Sequence, residues 1–99
     1  MAVYYVFHRG EPLRFDTDRA TLLLSTRGEE GGTLCHWREF YQTARGRFIS
    51  VERFFWGDGD AREVSKGKVL KQLMRAEPAQ RTAEGEAFLL LESEMAEEA

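Results

Sequence analysis

A single cysteine and two prolines are all that this 99-residue chain holds of either residue. With Cys35 alone no intramolecular disulfide can form, so a fold held by staples is excluded. The near-absence of cysteine agrees with a reducing compartment. No apolar run approaches the roughly 20 residues of a membrane span, and "MAVYYVFHRG" has no basic stretch before its short apolar segment. Neither a signal peptide nor a transmembrane helix is expected, and the chain reads as soluble and cytoplasmic. Metal-ligand pairs are also lacking. Cys35, His8 and His36 have no paired spacing and fall short of the about four ligands of a structural zinc site. "DGD" (Asp58–Asp60) looks like the opening of a calcium loop, but Val69 stands where the twelfth-position glutamate belongs. The glycine-rich "RGEEGG" (Arg27–Gly32) has no Lys-Ser/Thr after it and carries two phosphate-repelling acids, so it is not a P-loop. No metal or cofactor is expected.

A nucleophilic cysteine needs its histidine within hydrogen-bond reach. Cys35 and His36 are adjacent, and neighbours on a strand point to opposite faces. Only His8 could serve, and only from a neighbouring strand. An enzyme built on Cys35 and His8 therefore ranks last among three functional readings, and none is favoured as catalytic.

What is present is globular: 42% apolar and 31% charged residues. The length fits one domain and suffices for a core without cross-links. The net charge of −3 is uneven: residues 1–57 carry +1, residues 58–76 carry +2 and residues 77–99 carry −6. Such an acidic block reads as a solvated face or tail; functionally, it would screen the mildly basic body until a partner competes.

Ala2–His8 is β-branched and aromatic on both faces, which predicts a central strand covered on both sides. "RGEP" (Arg9–Pro12) is a turn. Leu13–Phe15 can begin a second strand, and Ala20–Thr26 is favoured as a strand over a short helix. Leu34–Gln42, "TARG" and Arg47–Trp56 form a β-hairpin with Gly46 supplying positive φ. Two registers remain open. One groups Trp37, Tyr41, Phe48, Phe54 and Trp56 on one face. The other, with a bulge at Gly46, groups Phe40, Phe48, Phe54 and Trp56 opposite Trp37, Tyr41, Ile49, Val51 and Phe55. After "GDGD", Asp60 and Glu63 suggest a capping box, with Ser65 as the rival helix start. Val69, Leu70, Leu73 and Met74 make one apolar stripe, and Pro78 ends that helix. In the acidic last stretch Ala83, Ala87, Leu90, Leu91 and Met95 keep a helical period; helix is favoured there over a strand at Glu86–Glu92.

The expected fold is α+β: a small, mainly antiparallel sheet of three to five strands from residues 1–56, then one or two helices packed on one face. The first helix spans 60–77, and 79–99 is an acidic helix or partly frayed tail. Expected core residues in the sheet are Val3, Tyr5, Phe7, Leu22, Leu24, Ile49 and Val51. Those in the first helix are Val69, Leu70, Leu73 and Met74.

Seven of the twelve aromatic residues fall in 33–56, with four arginines among them. "VERFFWGDGD" sets three rings in a row, and three adjacent rings cannot share one face of a strand. Some need a second cover, which a partner can provide. Trp, Tyr, Phe and Arg are the usual anchors of protein interfaces. The leading expectation is thus a non-catalytic protein-interaction module, an adaptor, an inhibitor or a self-associating domain, that binds through Trp37, Tyr41, Arg45, Arg47, Phe54 and Trp56. A single-stranded RNA or DNA binder using the same hairpin is the alternative, although a pI of about 5.4 argues against it. Rings that simply fill the core are the plain structural reading.

Overall fold

A computed structural model of the chain describes residues 2–27 and 35–98. Its first two strands, β1 (Val3–His8) and β2 (Glu11–Asp16), form a hairpin. Arg9 and Gly10 make the two-residue turn, both at positive φ, 51° and 83°. That conformation matches the natural twist of paired strands. A 3₁₀ turn, Thr17–Arg19, follows; the Asp16 carboxylate caps it by accepting the Asp18 amide at 3.0 Å.

The remaining strands, β3 (Thr21–Ser25), β4 (His36–Gln42), β5 (Phe48–Phe54) and β6 (Gly57–Val64), form an antiparallel sheet in sequential order. Two helices complete the α+β fold, α1 (Lys66–Arg75) and α2 (Ala83–Met95). The Ser65 hydroxyl caps α1 by accepting the Lys68 amide, and Thr82 caps α2 by accepting the Gly85 amide. No helix among the described residues is long and apolar enough to cross a membrane.

The four-stranded sheet is covered on both faces. On one face the helices close a core of Leu23, Leu24, Phe40, Phe48, Val69 and Leu73. On the other, the β1–β2 hairpin closes a second core of Val6, Phe15, Tyr41, Ile49 and Val51. Three consecutive leucines serve both layers through an irregularity in β3: Leu22 pairs with Tyr41 and Leu24 with Phe40. Leu22 packs against the hairpin core, whereas Leu23 and Leu24 join the helix core.

The β4–β5 register is the one with a bulge at Gly46. Phe40 pairs with Ser50, Tyr41 with Ile49 and His36 with Phe54. Gly46, at φ 83°, donates its amide to the Thr43 carbonyl at 2.9 Å, and Thr43 donates to Arg47 at 2.8 Å. One face of this hairpin thus carries Phe40, Phe48 and Phe54, and the other Trp37, Tyr41, Ile49 and Val51.

Several expectations are corrected. Residues 57–64 are a strand, so the sheet runs past residue 56 and the first helix starts at Lys66, not residue 60. "GDGDAREV" has poor strand propensity, but pairing with β5 overrides it. Gly59 is required there, since a Cβ would lie 2.7 Å from the Glu52 carbonyl oxygen. Strand β1 is not central; it belongs to the outer hairpin. Its faces are inverted relative to expectation: Val6 is buried, whereas Tyr5 and Phe7 are 65% and 69% exposed and Val3 joins them outside. Apolar residues on both sides of this strand give no clue to which side faces in. Met74, expected in the core, is exposed. The helix expected in the acidic stretch is present, but Phe88 and Leu89 face the core while Leu90, Leu91 and Met95 lie outside. The loop expected within Arg27–Gly32 lies, beyond Arg27, outside the described residues.

Candidate functional site

The six residues expected to form one surface are divided among three places. Tyr41 is buried under the β1–β2 hairpin, where the Phe15 ring meets it edge-on at 5.5 Å between centroids. Its hydroxyl donates to Glu39 at 3.0 Å, and Arg53 donates its Nε–H to the same carboxylate oxygen at 2.8 Å. Burial, reinforced by the charge of Glu39, pushes the Tyr41 phenol up to about 12. Burial opposes the charge on Arg53, but the hydrogen bond and charge of Glu39 outweigh it and raise its pKa. Tyr41 is a structural residue of the interlayer, with no surface to offer a partner. Trp37 lies on the same side of the sheet, with the Arg27 guanidinium 4.7 Å above its ring.

Phe54 and Trp56 lie on the opposite face, at the far end of the sheet. Phe54 pairs with Gly57, so Phe55 and Trp56 are the two loop residues of the β5–β6 turn. They are 80% and 74% exposed. Trp56 stacks on Phe54 at 5.2 Å between ring centroids, and Phe54 stacks on His36 at 4.8 Å. The Phe55 amide donates to the Cys35 carbonyl at 2.9 Å, which ties the tip to the start of β4. Arg38 borders the stack, and the Glu52 carboxylate lies 3.6 Å from His36 Nε2 and 3.9 Å from an Arg38 nitrogen. The result is a three-ring ladder, His36–Phe54–Trp56, that continues the helix-side face of the sheet beyond the helices. Sequence reasoning picked out Phe54 and Trp56 but missed His36. The β4–β5 register, which brings His36 opposite Phe54, was the missing information.

Arg45 and Arg47 sit at the other end of β5. Seven residues at about 3.3 Å each put roughly 20 Å between them and the aromatic tip. There they join Arg14 and Arg19 around a pocket of about 440 Å³ between β2, the 3₁₀ turn and the β4–β5 turn. Val6, Phe15 and Ile49 form its apolar floor. Arg47 Nε is 3.8 Å from Glu63, whose other carboxylate oxygen bonds His8 Nδ1.

This arrangement also separates the cysteine from the second histidine. His8 is held by Glu63, which pairs with Ile49, whereas the backbone of Cys35 bonds Phe55 at the opposite end. Five residue steps along β5 separate Ile49 from Phe54, about 17 Å. A Cys35–His8 dyad does not form in this fold. Among the described residues no group of three or more His, Cys, Asp or Glu side chains is arranged to hold a metal.

Comparison with protein-family models, with curated proteins and with solved structures finds no match for this chain.

Proposed function

We propose that the protein is a non-catalytic interaction module, acting as an adaptor, an inhibitor or a self-associating domain, that anchors a protein partner on the Phe54–Phe55–Trp56 tip. One observation carries the reading. Both loop positions of a two-residue hairpin turn are large aromatic residues, 80% and 74% exposed. Neither residue takes a positive φ, so the backbone of the turn accepts most side chains there and does not itself select an aromatic one. Phe55 and Trp56 contribute little there to the turn or the core, so their cost in exposed apolar surface is balanced by a purpose outside the fold. A Trp on a pre-stacked partner ring is an anchor already ordered before binding, which lowers the entropic cost of association. The lone cysteine supports work in a reducing compartment such as the cytoplasm.

Single-stranded nucleic acid is the second reading, favoured by the flat ring ladder with Arg38 beside it. Glu52 weighs against it, because its carboxylate lies 3.9 Å from Arg38 and would repel a phosphate backbone beside the ladder.

The test compares wild-type protein with Phe55→Ala/Trp56→Ala and, as a control on another surface, Tyr5→Ala. Affinity capture from cell extract and sedimentation velocity read partner binding and self-association. The expected result is a complex or oligomer kept by wild type and the control and lost by the double variant. Identical behaviour of all three overturns the proposal. A tryptophan-fluorescence titration with a mixed-sequence single-stranded oligonucleotide separates the second reading, since quenching that weakens steeply with salt would favour it.

A further inference from the structure

The arginine pocket lies at the end of the sheet away from the aromatic tip and on its opposite side. From its geometry we infer that it binds a small organic phosphate monoester, with the apolar part of the ligand against Leu13, Ala20 and Ala44, above the Val6–Phe15–Ile49 floor, and the phosphate among Arg14, Arg19, Arg45 and Arg47. The volume, about 440 Å³, falls within the roughly 300–1,000 Å³ of small-molecule sites, which are usually apolar with a few convergent polar groups.

The charge balance selects the ligand's sign. Four guanidinium groups line the pocket against one carboxylate, Asp16. The ion pairs that do form are long: Arg14 and Arg19 share one Asp16 oxygen at 3.9 Å each. Arg47 stands 3.8 Å from Glu63. Arg45 makes no ion pair among the described residues. Most of the planar N–H forks therefore remain open to an oxyanion, and such forks bind phosphate oxygens in bidentate fashion. The surplus positive charge suits a dianionic phosphate better than a single carboxylate.

Local structure holds the groups in place. The Asp16 cap fixes the 3₁₀ turn that presents Arg19. The Gly46 bulge sets the β4–β5 turn that presents Arg45 and Arg47. The floor residues are almost fully buried, so the cavity's base is rigid before any ligand arrives.

Phenyl phosphate is the probe, titrated by calorimetry and by amide chemical shifts, with inorganic phosphate and phenol as separate arms. One-site binding is expected, tighter for phenyl phosphate than for either fragment, with shifts at Thr43–Arg47 and Arg19 and none at Phe55 or Trp56. Arg19→Glu/Arg45→Glu changes two exposed side chains; it should keep the wild-type circular dichroism and weaken binding at least about tenfold, the loss of one charge-assisted bond or more. Arg45→Ala, the milder change, should weaken it in the same direction. Three results would overturn the inference: no binding by wild type, unchanged affinity in both variants, or inorganic phosphate binding as tightly as phenyl phosphate. None of them bears on the aromatic tip, because that site is probed by different residues and a different readout.

Discussion

Trp56 lies against Phe54 with ring centroids 5.2 Å apart and planes 27° from parallel, although Trp56 itself is a turn residue. Phe54 is half-buried and also stacks on His36. The two rings therefore differ in what they do for the fold. Trp56→Ala removes one exposed stacking partner and should change stability by no more than about 0.5–1 kcal/mol. Phe54→Ala removes the middle of the ladder and should cost about 1–3 kcal/mol. Urea denaturation of both variants checks this. A loss above about 2 kcal/mol for Trp56→Ala would make the ring part of the core and remove it as an anchor.

The Tyr41 phenol gives the protein an alkaline signature. Its pKa is about 12 in the fold against 10.0 ordinarily. Between these values an unfolded chain releases the Tyr41 proton while the folded chain keeps it. The folded state then binds more protons, so stability falls as pH rises from 10 to 12 and is unaffected by this group below pH 10. The loss is at most roughly 3 kcal/mol. Tyr41→Phe should abolish that slope while keeping the edge-on contact with Phe15. Denaturant midpoints of both proteins across the window measure it, and parallel slopes would show that the phenol is not responsible.

Glu39 and Arg53 form the charged pair that Tyr41 joins. Their side chains are only 16% and 21% exposed, and the contact is 2.8 Å. Removing one partner takes the 2.8 Å charge-assisted contact from a group with little access to solvent. Glu39→Ala or Arg53→Ala should each cost about 3 kcal/mol, as half-broken buried pairs do. Replacing both by methionine should recover at least half of that loss, because no charge is left unpaired. Stability measurements on the two single variants and the double variant give the coupling energy. A double variant as unstable as the sum of the singles would deny the pairing.

How much of this was legible in the sequence depends on whether the deciding information was local. Gly46 marked the β4–β5 turn, Ser65 offered a cap, and Val69 with Leu73 marked the buried stripe of α1; each signal lies within a few residues. The β1 strand shows the limit. Tyr4 and Val6 are as apolar as Tyr5 and Phe7, and only packing against β5 and β6 decides which pair turns inward. The hairpin supplies the second cover that the rings of β4 and β5 required, so Tyr41 needed no partner. For the arginines, the sequence showed Arg45 and Arg47 together. Arg14 and Arg19 reach them only because β2 and its 3₁₀ turn fold across the sheet, a contact between segments about 30 residues apart that no spacing rule reports. "GDGDAREV" was misread as turn and helix because its strand state comes from pairing alone.

Gly85, the third residue of α2, sits directly against the backbone of β3. This glycine is buried, and a Cβ built on it would lie 2.0 Å from the Leu23 carbonyl oxygen and 2.9 Å from its carbonyl carbon. Both are backbone atoms of β3, so no side-chain rotation relieves the clash. The same β3 segment accepts from the helix cap: the Thr82 hydroxyl donates to the Leu22 carbonyl at 2.6 Å, and its amide to the Leu23 carbonyl at 3.1 Å. In an ordinary helix Gly→Ala stabilises by about 1 kcal/mol. Here the sign should reverse. Gly85→Ala must push α2 off β3, opening the core around Phe88 and Leu89, at a cost of about 2–4 kcal/mol. Gly67→Ala, in the first turn of α1 with nothing nearer than 4.0 Å to its Cβ, serves as the opposite case and should be neutral or stabilising. Thermal melts of both variants decide the matter: a stabilised Gly85→Ala would mean that α2 does not dock on β3 as described.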